Sequence, residues 1–286
     1  MEIREVFHLE HGPLRAEIGA LGAELLSLCD PNGEEQMWSG APDTWPRRGP
    51  VIFPILGGWP KGGYFHNGKR YQMDKNGFAR SCLFEAELVG RDSVALLLQS
   101  DERTRVQYPF FFRLEICYTL TDTGLRVNQR AVNIGDAIMP AALGLHPGFR
   151  WDRSREGAFL RFSCPQAVQA FHPDGVRYPF LKNQDRIPLS SALFERGAVS
   201  LEDVRGKWVE LSRPEAAWNL RIYQEDYPYL TLWSMERPEA AFLCIEPSTS
   251  AGTDGDCLLD RRGITALKPG QALCGEIGIE FEERKE

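Results

Sequence analysis

The 286-residue sequence lacks the marks of several common functions. No G-x-G-x-x-G opens a helix and no G-K-[ST] follows its glycines, so dinucleotide and P-loop sites are excluded. No G-x-S-x-G is present to anchor serine hydrolase chemistry. The five histidines, His8, His11, His66, His146 and His172, include no zincin pair, and no His/Cys group has metal-ligand spacing. No segment approaches transmembrane length. Basic residues form only short pairs such as Arg47-Arg48 and Arg261-Arg262, which read as solvated surface, and the net charge is −7. A nucleic-acid partner needs the opposite field. No metal, cofactor or membrane partner is expected.

Cysteine is present but unpatterned. Cys29, Cys82, Cys117, Cys164, Cys244, Cys257 and Cys274 are odd in number and lack C-x-x-C spacing. They read as free thiols in a reducing compartment. The start, Met-Glu-Ile-Arg-Glu-Val, has no apolar signal region. The expected location is cytoplasmic.

Hydrophobic content of 43% against 26% charged residues suits a packed globular core. Strand signals dominate. Leu14, Ala16 and Ile18 alternate with Arg15 and Glu17, and 22–29 is a second run closed by Asp30-Pro31-Asn32-Gly33. Prolines 42, 46, 50, 54 and 60 exclude a helix from 41–63, where Trp45 and Trp59 stand on loops. Asn67-Gly68 turns a hairpin over 64–73. Runs at 82–89, 94–99, 110–120, 125–133 and 138–145 follow, then 159–162, 168–171, 208–211, 219–223, 229–234, 242–245, 264–267 and 276–283. Only 190–196 is helix-like. More than a dozen strands without alternating helices predict an all-β chain, a large antiparallel β-sandwich, in one domain over 1–286.

Two stretches share one design: an apolar strand, an ionisable group, then proline. Pro-Ala-Ala-Leu-Gly-Leu-His-Pro-Gly-Phe at 140–149 ends an apolar run in His146, which Pro147 holds extended. Phe-Leu-Cys-Ile-Glu-Pro at 242–247 does the same for Glu246. Burial raises a carboxyl pKa and makes it a competent base near neutrality. The imidazole titrates in the same range. Each also has a structural reading: His146 as a core histidine bonded to a carbonyl, Glu246 as the buried partner of an arginine. The acidic run Asp254, Asp256, Asp260 fails the EF-hand template and reads as a solvated turn.

The ordered motifs Phe53-Pro-Ile-Leu-Gly57, Asn76-Gly-Phe-Ala-Arg80, Asn133-Ile-Gly-Asp136, the 139–149 stretch, Tyr229-Leu-Thr-Leu-Trp233, Cys244-Ile-Glu-Pro247 and Leu267-Lys-Pro-Gly270 span nearly the whole chain. Together they resemble the galactose mutarotase (aldose 1-epimerase) superfamily, most closely its LacX-like branch. The resemblance implies a supersandwich fold with a sugar cleft on one sheet, without metal or cofactor. It implies opening of a pyranose at its anomeric carbon, with Glu246 as base and His146 as acid. Asn76, Arg80, Phe149 and Trp233 would contact a small-molecule sugar, in a monomer or homodimer.

Two departures stand out. Relatives usually carry histidine where this chain has Asn76, and arginine where it has Gly58. Asparagine offers hydrogen bonds without charge, and a lost arginine removes a fixed cation. A sugar-binding protein without turnover is therefore the alternative, and a hexose-6-phosphate 1-epimerase a remoter one. Arg80 either anchors the sugar or braces its loop. Trp45, Trp59 and Trp233 are stacking surfaces or core.

Overall fold

The computed structural model describes residues 5–59, 62–237, 239–252 and 257–284. Asp254 and Asp256 of the acidic run, Pro60 and the first four residues lie outside them. The described residues fold as a large antiparallel β-sandwich dominated by one fifteen-stranded sheet. A sheet of that size curls rather than staying flat, because each strand is rotated against its neighbour. Its far half is a meander of Ser93–Gln99, Phe112–Leu120 and Gly124–Asn133, joined onto Ala272–Glu283. Phe112–Leu120 alternates buried and half-buried positions along its full length, the period expected of a strand with one face on the core. The separate sheet Val6–His11, Leu14–Gly19, Glu24–Cys29 packs across these strands. One hydrophobic cluster runs from Phe7 to Phe281. No helix among the described residues is long and apolar enough to cross a membrane.

The structure departs from the sequence reading in several places. Glu102–Gln107 is a short α-helix where none was expected. Asp101 caps it by accepting from Thr104 N at 2.7 Å, while Thr104 Oγ1 accepts from Asp101 N at 2.9 Å. The helix-like stretch 190–196 is a single 3₁₀ turn, Ser191–Phe194. The runs 159–162 and 168–171 are one bulged strand, Phe159–Phe171, paired with the unforeseen strand Arg177–Pro188. That partner is polar, carries two prolines and pairs on one side only, so it shows no apolar alternation. The apolar run 138–145 is two strands, Met139–Ala141 and Gly144–Leu145, in different sheets.

The turn that carries Asn76 and leads to Arg80 requires a glycine at 77. Gly77 has φ +72°, and a Cβ there would lie 2.0 Å from Phe53 O. Gly77→Ala is therefore expected to destabilise the protein by about 2–3 kcal/mol, read as a lower urea midpoint at unchanged slope.

Candidate active site

The site is built where Phe242–Ser248 is flanked on one edge by two strand fragments instead of one strand. Gly144–Leu145 and Gly148–Arg150 both pair with it, and His146-Pro147 spans the gap between them. Proline has no N–H to continue a ladder, so the chain breaks there. His146 N donates to Pro50 O at 3.0 Å, while Pro147 O accepts from Ile245 N at 3.2 Å. The break turns the imidazole toward Glu246, with Nε2 3.3 Å from Oε1. On its other edge Phe242–Ser248 pairs with Tyr229–Trp233, setting Thr231 opposite Glu246 and Trp233 opposite Cys244.

Aromatic rings hold the histidine. Trp45 lies against it with centroids 4.9 Å apart and 32° between planes, and Trp233 meets it edge-on at 5.8 Å. Trp38 Nε1 donates to Trp45 O at 2.8 Å and fixes that loop. Gly148 permits the approach, since a Cβ there would sit 2.5 Å from Trp45 Cζ3. His146 and Glu246 are 8% and 3% exposed. Burial lowers the His146 pKa to about 3, with the positive charges of Lys75 and Arg80 acting the same way. It raises that of Glu246 to about 8, against a smaller opposing effect of Lys75. Both shifts favour the uncharged forms, so the pair keeps one proton across the neutral range.

The pair lies in a cleft of about 590 Å³. Asn76, Arg80 and Trp233 line it, together with Trp45, Trp59 and Lys75. Asn76 is committed locally: its Oδ1 accepts from Gly57 N at 2.7 Å, and its own N donates to Gly57 O at 2.8 Å. Arg80 follows on the 3₁₀ turn Ala79–Ser81, and its carbonyl accepts from Arg47 Nη1 at 2.8 Å. Its guanidinium, half-buried, makes no hydrogen bond or ion pair with any other described residue. Burial and the nearby Arg47 both depress its pKa. Phe149 corrects the sequence reading. It is fully buried in the main core and does not line the cleft, because its side chain leaves Gly148–Arg150 on the face away from that cleft.

Four features escaped the sequence reading. Lys75 borders the opening at Gly58, where a Cβ would lie 3.8 Å from the lysine Cβ. His172 is in the expected turn yet 7% exposed, lining the far arm of the cleft between Tyr178 OH at 3.0 Å and Ala198 O at 3.1 Å. Arg261, read as surface, is 3% exposed; Nη1 donates to Gly58 O at 3.0 Å, Nη2 to Leu56 O at 2.5 Å and to Gly252 O, and the guanidinium covers Trp59 at 4.4 Å. Cys244 joins His146 and Glu246 in a cluster whose donor atoms all lie within 4.8 Å of one another. His146 is remote in sequence from the other two, so ligand spacing along the chain does not reveal the cluster.

The aldose 1-epimerase family profile matches residues 5–161, more than half of the chain. The chromosomal protein LacX of Lactococcus lactis subsp. lactis is 28% identical over 285 residues, covering 91% of this chain and 94% of its own length. Among solved structures, a galactose mutarotase related enzyme from Lactobacillus acidophilus superposes with a TM-score of 0.90 at 29% identity, over 99% of this chain and all of that one. A galactose mutarotase-like protein from Lactobacillus casei ATCC 334 gives 0.90 at 27%, over 97% and 100%. With the strand order and the cleft they accompany, these likenesses place the chain in the aldose 1-epimerase family, in its LacX-like branch.

Proposed function

We propose that this chain is a single carbohydrate-binding domain that interconverts the anomers of a hexose or related aldose, with Glu246 as base and His146 as acid. One observation carries the reading: a buried carboxyl group and an imidazole 3.3 Å apart, walled by tryptophans and open to a sugar-sized cleft. The two oxygens that exchange protons, O1 and the ring oxygen, are bonded to the same carbon. An adjacent acid and base can therefore serve both at once.

Proton transfer across the His146–Glu246 contact converts the neutral pair into carboxylate and imidazolium. Glu246 takes the O1 proton as the bond from C1 to the ring oxygen breaks, and His146 protonates that oxygen. The pair returns to the neutral form that burial favours, leaving an open-chain aldehyde. Rotation about C1–C2 presents the other face of the carbonyl. Reclosure then runs with roles reversed: His146 removes the hydroxyl proton and Glu246 protonates the carbonyl oxygen. Trp45 and Trp233 offer flat faces and edges for the apolar side of the ring.

Polarimetry on freshly dissolved α-anomers of a hexose panel tests the proposal. The catalysed decay of rotation is expected to rise in proportion to protein concentration. Decay at the buffer rate for every sugar refutes turnover. The pH profile is a second check. One proton on the pair is required, so kcat/KM, corrected for buffer catalysis, is expected to fall about tenfold per unit above about pH 8 as that proton leaves.

Binding without turnover is the second reading, favoured by Asn76 being bonded to Gly57 and by the absence of a side chain at Gly58. Saturable binding seen by ligand-detected NMR, with rotation decaying at the buffer rate, would select it. Glucose and glucose 6-phosphate measured side by side address the phosphosugar variant.

A further inference from the structure

Cys244 has no part in ring opening, yet its position is specific. It precedes Glu246 by two residues on Phe242–Ser248, so both side chains leave the same face. Its Sγ, a ring nitrogen of His146 and a carboxylate oxygen of Glu246 lie within 4.8 Å of one another. The thiol is fully buried, the only one of the seven cysteines that is. His146 Nδ1 is buried without a hydrogen-bond partner, so the ring is not locked in place through that atom.

Two ligand atoms each about 2.0 Å from a tetrahedral ion stand about 3.3 Å apart. That is the separation His146 Nε2 and Glu246 Oε1 already have, 3.3 Å. The sulfur completes the set by closing in by roughly 1 Å, within the reach of a side-chain adjustment. Imidazole, thiolate and carboxylate are the donors of zinc sites, whereas calcium and magnesium take oxygen alone. His146 and Glu246 face the cleft, which leaves a fourth position for water.

We propose that His146, Cys244 and Glu246 form a zinc site entered through the sugar cleft, and that zinc bound there blocks turnover. Ligation uses the thiolate, the carboxylate and the neutral imidazole, so the Cys244 thiol proton and the proton held on Glu246 both pass to solvent. The same ion occupies the lone pairs through which His146 and Glu246 would move protons. Zinc binding stands on the donor geometry alone; only the block rests on the proposed acid–base reaction.

The test uses the full chain freed of metal by a chelator, with zinc followed by calorimetry and cobalt(II) as the spectroscopic probe. One ion per chain is expected, with a thiolate-to-cobalt charge-transfer band in the near ultraviolet that zinc abolishes. Cys244→Ala should remove the band and weaken zinc binding at least tenfold, while Cys29→Ala should change neither. Cys244→Ser serves if the alanine variant does not fold, since a serine hydroxyl gives no such band. Absence of the band in the wild-type protein, or its persistence without Cys244, overturns the site. Polarimetry then reads the block: zinc should stop wild-type turnover, a chelator should restore it, and Cys244→Ala should need at least tenfold more zinc. Undiminished turnover in the zinc-loaded protein overturns the block. A protein inactive on every sugar refutes the catalytic reading, and the cobalt spectrum still decides the site.

Discussion

Glu246→Gln is expected to lower kcat for anomer exchange by about 10³-fold, with KM changed far less. The amide keeps the shape of the side chain and its contact with His146, so the cleft remains intact. What it loses is the ability to take the O1 proton, which matters only as the ring opens. A parallel drop in kcat and kcat/KM is therefore the signature, measured by polarimetry with buffer decay subtracted. An unchanged kcat refutes the role assigned to Glu246. The same variant should gain stability at alkaline pH. Glu246 has a folded pKa of about 8 against an ordinary value of 4.5, so its contribution to stability is whole below about 4.5 and disappears as pH rises through 8. The amide has no such proton to lose. At pH 9 the variant is expected to exceed wild type by about 2–3 kcal/mol in urea unfolding, a difference that vanishes at pH 4.5. His146 acts in the opposite sense: its folded pKa of about 3 makes its contribution whole above about 6.5 and lost as pH falls toward 3.

Arg261→Met is expected to destabilise the protein by about 3–5 kcal/mol and to raise KM more than it lowers kcat. The methionine preserves an apolar stem against Trp59 but donates nothing. The carbonyls of Leu56, Gly58 and Gly252 lose the donors that gather two remote loops at one side of the cleft. Those loops touch closely, since a Cβ on Gly57 would lie 2.4 Å from Gly252 O. Urea denaturation gives the stability loss, and sugar titration of the initial rate separates KM from kcat. A variant as stable as wild type would show that the loops hold without the guanidinium.

Most strands were legible because a strand buried on one face writes its period of two into the sequence, as Phe112–Leu120 does. Arg177–Pro188 was not, because polar residues and prolines at a one-sided edge carry no such period. The helix Glu102–Gln107 left no such mark, because six residues are too few for a helical stripe. Arg261 was read as surface because charge is usually solvated, and nothing local shows that three carbonyls wait for it.

The chain by itself determined the β class, the family resemblance, and two ionisable groups that each end an apolar run and precede a proline. It could not say that they meet. The sequence distance between His146 and Glu246 is closed by two strand fragments sharing one partner, and only that pairing brings Nε2 within 3.3 Å of Oε1. The tertiary structure also decided the character of the pair, because the pKa shifts arise from burial that many remote segments create together. It moved Phe149 into the core and brought Cys244 beside the two. Local sequence sets which atoms a strand offers and with what period; which of them share a cavity is set by the register of strands far apart in the chain.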